Sequence, residues 1–252
     1  MADRYTVAVV SDMHGNVAGF DATLADLATQ PHDLLVIAGD LVLNGPRPAE
    51  TLVRVREQDA PTIYGNTERF FDSGHPSVND AGVQWVRERI GRDGVAYLLA
   101  LPFEHRITPP GGTSPDDDLL IVHASPTNVD DAVITERSPQ RPDAQITPEA
   151  EAGALIGDAR ANLILYGHIH YASSGAVREQ RVVSIGSSSF PFDGDHRAAY
   201  ALVAWDGDNW NVTHRRAAYD DEAVRRELLA SDAPFAALSA RRLAAARFIP
   251  PS

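Results

Sequence analysis

The chain has 252 residues, of which 44% are apolar, and it carries a formal net charge of −13 without a single cysteine. This length and apolar content allow a sizeable core, either as one domain or as one domain with an appendage. The lack of cysteine excludes disulfides, thiolate ligands and cysteine nucleophiles, so any metal must be held by oxygen and imidazole. The acidic balance argues against long nucleic acid as a partner, because duplex binding relies on clustered Lys and Arg.

The N-terminal sequence MADRYTVAVV enters a strand pattern without a charged region and a cleavage site, and no run of eighteen apolar residues occurs. Secretory signals and membrane-spanning helices need these features. We therefore expect a soluble, cytoplasmic protein that has no membrane partner.

The first hundred residues alternate between strand and helix patterns. Apolar, β-branched runs predict strands at 5–10, 33–39 and 61–65, and helical spacing predicts helices over 18–29, 48–58 and 77–90. This alternation is typical of parallel strands joined by crossover helices.

After Leu101-Pro102 the pattern becomes mainly β. FEHRIT and LLIVHAS flank a polar loop at 109–118 and predict a hairpin, and Asp206-Gly207 predicts a second hairpin turn. A mixed sheet or two packed sheets would accommodate these strands. We expect residues 1–219 to form one domain, followed by a helical extension at 220–252 whose apolar face carries Val224, Leu228 and Leu229. This extension would pack on the domain or form a homodimer contact.

Polar residues follow five of the apolar runs. They are Asp12, His14, Asp40, Asn66, His123, His168 and His170. Each one alone could be a helix cap, a strand terminator or a neutral core histidine. Loops beyond the carboxyl ends of strands can nevertheless bring such residues into one crevice. Together they are too many for one zinc site and suit two metals that share a carboxylate.

These residues also form an ordered set of motifs. DMH, GD, GN, VH and GHIH follow one another as D-x-H, GD, GN, H and GH-x-H. By this set the chain resembles the calcineurin-like metallophosphoesterase superfamily, in its bacterial branch of small phosphodiesterases and other phosphoesterases. SDMHGN and the segment 184–203 resemble that branch too. The resemblance implies an α/β fold, a four-layer α-β-β-α sandwich of two mixed sheets flanked by helices.

The resemblance also implies roles for the seven residues. One metal would be held by Asp12, His14 and His170, and a second metal by Asn66, His123 and His168, with Asp40 bridging both. Asp40, Asn66 and His168 would take part most directly in catalysis. The metals would be Mn, Fe or both, with Zn as another option for this oxygen and nitrogen set. Gly65 would let the backbone turn sharply beneath Asn66.

The activity implied is hydrolysis of a small phosphodiester, such as a nucleotide or a cyclic nucleotide, by a metal-bridging hydroxide. A phosphomonoesterase and a noncatalytic interaction module with the same fold are the alternatives. Thr67 stands where many members have histidine, and Asn44 where protein phosphatases have arginine. Five residues could orient the ligands or contact the substrate: Asn16, Asn44, Thr67, Glu68 and His75. Arg47 could contact phosphate or lie on the surface.

Overall fold

The computed structural model describes residues 5–251. Residues 1–4 of the expected domain and residue 252 of the expected helical extension lie outside the described residues. The strands are β1 (Tyr5–Val10), β2 (Leu34–Ile37), β3 (Glu104–Ile107), β4 (Leu119–Val122), β5 (Leu163–Tyr166), β6 (Ala172–Val177), β7 (Gln180–Ile185), β8 (Ala198–Trp205) and β9 (Trp210–Ala217). The α-helices are α1 (Val17–Leu27), α2 (Pro48–Glu57), α3 (Asn66–Arg69), α4 (Ala81–Leu99), α5 (Glu149–Ile156), α6 (Asp221–Ala230) and α7 (Ala236–Ala245).

The strands form two sheets. The first has the order β2-β1-β8-β9 and the second has the order β3-β4-β5-β7-β6. β1 and β2 pair in parallel, as do β4, β5 and β7, whereas the remaining pairs are antiparallel. Both sheets are therefore mixed, and the expectation of two packed sheets is confirmed.

The core lies between the two sheets. Val7 and Val9 of β1 pack with Ile121 of β4 and with Leu163 and Leu165 of β5, all with 0% exposure. Successive strand side chains point to opposite faces, so Ala8 and Val10 of β1 face the other way and join a second cluster. This alternation builds the layers of the fold.

Helices cover the outer faces of the sheets. Phe20 of α1, Leu52 of α2 and Val86 of α4 pack on the first sheet. Ala152 of α5 and Val133 of the preceding loop pack on the second. The four-layer α-β-β-α sandwich expected from the sequence is thus confirmed. Within residues 5–251, no helix is both long and apolar enough to cross a membrane.

Two predicted elements differ in the structure. Residues 61–65 form only one bridge, between Thr62 and Ile37, because the amide of Tyr64 turns away and donates to the carbonyl of Pro102. The helix expected at 77–90 begins at Ala81 and runs to Leu99, across a break at Gly91 where φ is +67°. Both predicted hairpins are present, with β3 pairing with β4 and β8 with β9.

The C-terminal segment packs against the loop that follows β7. Val224 and Leu228 of α6 and Leu243 of α7 are buried with Phe190 and Phe192. Leu229 was expected on the same apolar face but is 65% exposed. Val224 and Leu228 are four residues apart and share a helix face, and the next position is rotated away from it. A dimer contact at this segment stays a prediction.

We predict opposite outcomes for two neighbouring leucines. Leu228→Ala empties a fully buried position, so it should lower the free energy of unfolding by about 2–5 kcal/mol. Leu229→Ala changes an exposed side chain and should stay within about 0.5 kcal/mol. Denaturant unfolding of the two variants measures both values. Equal losses would show that α6 does not pack as described.

Candidate metal centre

The ends of four strands converge at one edge of the sandwich. Asp12 follows β1, Asp40 follows β2, His123 follows β4 and His168 follows β5. The loops after β1 and β2 are hydrogen-bonded to each other: the amide of Asp12 donates to the carbonyl of Gly39 (3.0 Å) and that of His14 to the carbonyl of Asp40 (2.8 Å). Rigid strands thus fix the position of each polar side chain.

Four buried residues form a first group. One ligand atom each from Asp12, His14, Asp40 and His170 lies within 4.8 Å of all the others. The His170 Nε2 atom is 3.1 Å from Asp12 Oδ1, and His14 Nε2 is 3.4 Å from Asp40 Oδ2. Asp12 Oδ1 is buried without a hydrogen-bond partner. These four side chains could hold one metal ion.

A second group is built around Asn66. Its Oδ1 atom lies 3.2 Å from His123 Nε2 and 3.2 Å from His168 Nδ1. His123 Nε2 is also 3.5 Å from Asp40 Oδ1, the oxygen that does not face His14. The two carboxylate oxygens of Asp40 therefore point toward different groups, and the structure brings all seven residues together.

Backbone carbonyls fix three of the imidazoles. The Nδ1 atoms of His14, His123 and His170 lie 2.9, 2.9 and 2.8 Å from the carbonyl oxygens of Leu43, Ala38 and Phe190. A carbonyl only accepts, so each Nδ1 carries a hydrogen and each Nε2 faces the centre. The Nε2 atoms of His14 and His170 are only 3.1 Å apart. Such converging nitrogens, beside an unpartnered carboxylate oxygen, fit a bound cation.

Burial and charge set the protonation states. Burial lowers the pKa of His14 to about 4 and that of His168 to about 3. Burial alone would raise the pKa of Asp12 and Asp40, but the surrounding imidazoles hold both below the usual range. Burial also disfavours the charged form of His123, but the negative charge of Asp40 raises the pKa of His123. A bound metal would displace the additional proton of this imidazole. Near neutral pH, Asp12 and Asp40 are thus ionised and the imidazoles of His14 and His168 are neutral.

Left-handed backbone conformations are concentrated at this centre. Five of the seven residues have φ between +48° and +64°: Asp12, His14, Asp40, His168 and His170. This conformation costs roughly 1–2 kcal/mol for a residue other than glycine, and such strain persists where function requires it. The surrounding structure therefore holds these side chains at a cost in stability.

Two glycines at the centre stand where there is no room for a side chain. A Cβ atom on Gly65 would lie 2.2 Å from Asp40 Oδ1, and one on Gly167 would lie 2.5 Å from Asp12 Oδ2. The expectation that Gly65 permits a sharp turn is wrong, because its φ of −98° is open to any residue. Its lack of a side chain leaves room for the Asp40 carboxylate and the His123 ring.

Thr67 and Glu68 support Asp40. The hydroxyl and the amide of Thr67 both donate to Asp40 Oδ1, at 2.8 and 3.0 Å. Glu68 has 0% exposure and accepts hydrogen bonds from the amides of Asp40, Leu41 and Gly65. Burial, with the charge of Asp40, raises the pKa of Glu68 to about 7. Thr67 and Glu68 thus position a ligand and its loop.

The other candidates lie in different places. Asn44, with φ of +87°, lines the cleft at the centre. Asn16 caps α1 by accepting from the amide of Gly19, and its amide group donates to the Tyr219 hydroxyl. Neither contact of Asn16 reaches a ligand side chain.

His75 and Arg47 are not among the residues that line the cleft. His75 caps the short 3-10 helix at 76–79 by accepting from the amide of Ser77, and its ring lies against Phe70. Arg47 forms an ion pair with Glu227 at 2.5 Å. The structure therefore gives both side chains structural partners.

The structure adds residues that the motifs do not include. The cleft has a volume of about 210 Å³ and is lined in part by Arg141, Arg242, Phe190, Phe192 and Phe248. The Phe192 ring stacks on His170 with centroids 4.6 Å apart. These residues come from the loop before α5, the loop after β7 and the C-terminal segment. Phe190 and Phe192 lie in the segment 184–203 that resembles the family, but no sequence signal placed any of the five at the cleft.

Comparisons with known proteins agree with the fold. The fold is similar to the crystal structure of a metallophosphoesterase from Sphaerobacter thermophilus, with a TM-score of 0.71, 22% identity and coverage of 96% of this chain and 99% of that chain. It is also similar to a hypothetical protein from Pyrococcus horikoshii OT3, with a TM-score of 0.75, 20% identity and coverage of 95% and 97%. No curated protein matches the chain. The sequence model of the calcineurin-like phosphoesterase superfamily domain matches residues 6–208, and the chain belongs to this superfamily.

Proposed function

We propose that this phosphoesterase is a binuclear, metal-dependent phosphodiesterase that acts in the cytoplasm on small phosphodiesters, nucleotides or cyclic nucleotides among them. The observation that carries the proposal is the placement of Asp40, whose Oδ2 faces His14 at 3.4 Å and whose Oδ1 faces His123 at 3.5 Å. A carboxylate between two groups of ligands is what a pair of metals requires.

The seven residues divide between two ions in this proposal. Asp12, His14 and His170 would hold one ion, Asn66, His123 and His168 would hold the other, and both ions would share Asp40. The oxygen and imidazole donors suit Mn and Fe, with Zn as a further option. When bound, the two ions supply Lewis-acid activation of water and neutralise charge on the phosphate oxygens.

Hydrogen bonds within the protein hold these donor groups in position. Carbonyl groups orient three imidazoles, and Thr67 fixes the Asp40 side chain while Glu68 fixes its backbone. Preorganised groups avoid reorganisation during the reaction. The walls of the cleft limit the space open to the substrate and so favour a small ester.

Protonation of the leaving group distinguishes this chain from relatives with histidine at position 67. The imidazoles that line the cleft belong to His14, His168 and His170, which are all proposed ligands. The Thr67 hydroxyl already donates to Asp40 and is a poor acid near neutral pH. The rate should therefore depend on the acidity of the leaving group.

Metal analysis and a substrate series test the proposal. We expect about two transition-metal ions per chain after reconstitution with Mn²⁺. Phosphodiesters should be hydrolysed faster than matched monoesters, and aryl esters much faster than alkyl esters, because the departing oxygen receives little help from an acid. One ion per chain would refute the binuclear site. Faster monoester hydrolysis would indicate a phosphomonoesterase, and two ions without hydrolysis would indicate an interaction module.

The bridge itself can be tested at Asp40. Asp40→Asn keeps the shape but removes the negative charge, so we expect loss of at least one ion and a fall in turnover of about a hundredfold or more. Asp93→Asn, on the exposed surface of α4, is the matched control and should change neither quantity. Full metal content and full turnover in the Asp40 variant would contradict the assignment.

The hydrogen bond from Thr67 gives a separate prediction. Thr67→Val removes the hydroxyl that orients Asp40 and should weaken metal affinity about 10–100-fold, as is typical for partners of metal ligands. Thr67→Ser keeps the hydroxyl and should bind metal almost as the parent protein does. Competition against a chelator of known affinity measures both. Equal affinities for the two variants would show that this hydrogen bond is dispensable.

A further inference from the structure

Two arginines stand together beside the proposed metal centre. Arg141 lies in the loop between β4 and α5, and its Nη1 donates to the carbonyl of His168 at 3.2 Å. Arg242 belongs to α7, and its Nε donates to the carbonyl of Ile249 at 2.9 Å. The central carbon of each guanidinium is 5.0 Å from the centroid of the Phe248 ring. One aromatic ring therefore fixes both cations at the cleft.

The two guanidinium groups are only partly neutralised. The Arg141 side chain is 16% exposed, its Nε is buried without a hydrogen-bond partner, and the nearby carboxylate of Asp143 is 3.6 Å away. Burial, together with the charge of Arg141, lowers the pKa of Arg242. Like charges that line one cleft and are partly desolvated are unfavourable, so their arrangement fits an anion bound in that cleft.

The scissile phosphate does not require these arginines. In the proposed centre two divalent ions outweigh the charges of Asp12 and Asp40, which already favours a phosphodiester monoanion. The guanidinium group, with its planar set of donors, matches phosphate oxygens well. Arg141 and Arg242 each donate one N–H group to a backbone carbonyl. Their other N–H groups can donate to a ligand.

We propose that Arg141 and Arg242 bind a second phosphate group of the substrate, so that the preferred substrates are small phosphodiesters that carry a further phosphate. This inference rests on the proposed function of the centre. Phe248 acts as a positioning residue, because its ring holds both guanidinium groups. The C-terminal segment thereby contributes to the choice of substrate.

A matched pair of nucleotides tests the inference by binding. Thymidine 5′-phosphate and thymidine 3′,5′-bisphosphate differ by one phosphate, and calorimetry on the Mn²⁺-loaded protein gives the affinity for each. We expect at least tenfold tighter binding of the bisphosphate by the parent protein. Arg141→Gln and Arg242→Gln should each lose most of this preference. Arg226→Gln is the matched control on the same segment, since Arg226 is 68% exposed on α6, and it should keep the preference.

A kinetic comparison uses thymidine 5′-(p-nitrophenyl phosphate) with and without a 3′-phosphate. The 3′-phosphate should lower KM about tenfold and change kcat little, and the two glutamine variants should abolish this effect. Arg242→Lys keeps the charge and should retain part of it, which separates lost charge from lost folding if a glutamine variant unfolds. Equal affinity for the two nucleotides, or an unchanged preference in folded variants, would overturn the inference. Hydrolysis of neither ester would refute the proposed function, and the binding measurement would still decide the role of the arginines.

Discussion

The carboxylate of Asp40 is the feature on which the centre depends. Its oxygens face His14 and His123, which follow strands of different sheets. Its backbone amide is held by Glu68, and its Oδ1 accepts from Thr67. Because the two sheets pack through a buried apolar core, the distance between the groups on either side of Asp40 is set by the packing of the two sheets.

The sequence predicted the residues whose position depends on strand ends. Apolar runs in the sequence locate the strands, and each strand fixes the position of the side chain that follows it. The convergence of Asp12, Asp40 and His123 could therefore be anticipated. The role of Gly65 could not be anticipated, because the Asp40 carboxylate comes close to its backbone only in the folded chain. β6 was also missed, since Val177 is the only large apolar residue in its sequence ASSGAV.

Arg141 and Arg242 were missed for a different reason. They are 101 positions apart in the chain and belong to no common sequence motif. They come together because α7 packs on the loop after β7, which brings Phe248 against Phe192. The candidate metal ligands can thus be predicted from local patterns, whereas the walls of the cleft depend on how the C-terminal segment packs on the domain.

The left-handed backbone of the five centre residues has a consequence for engineering. Glycine adopts this conformation freely, so replacing any of them by glycine would relieve strain while deleting a donor. A redesign guided by stability alone would therefore erase the activity it set out to preserve. Thermostable variants of this protein must be sought outside the loops that follow β1, β2 and β5, in the helical layers and the surface turns.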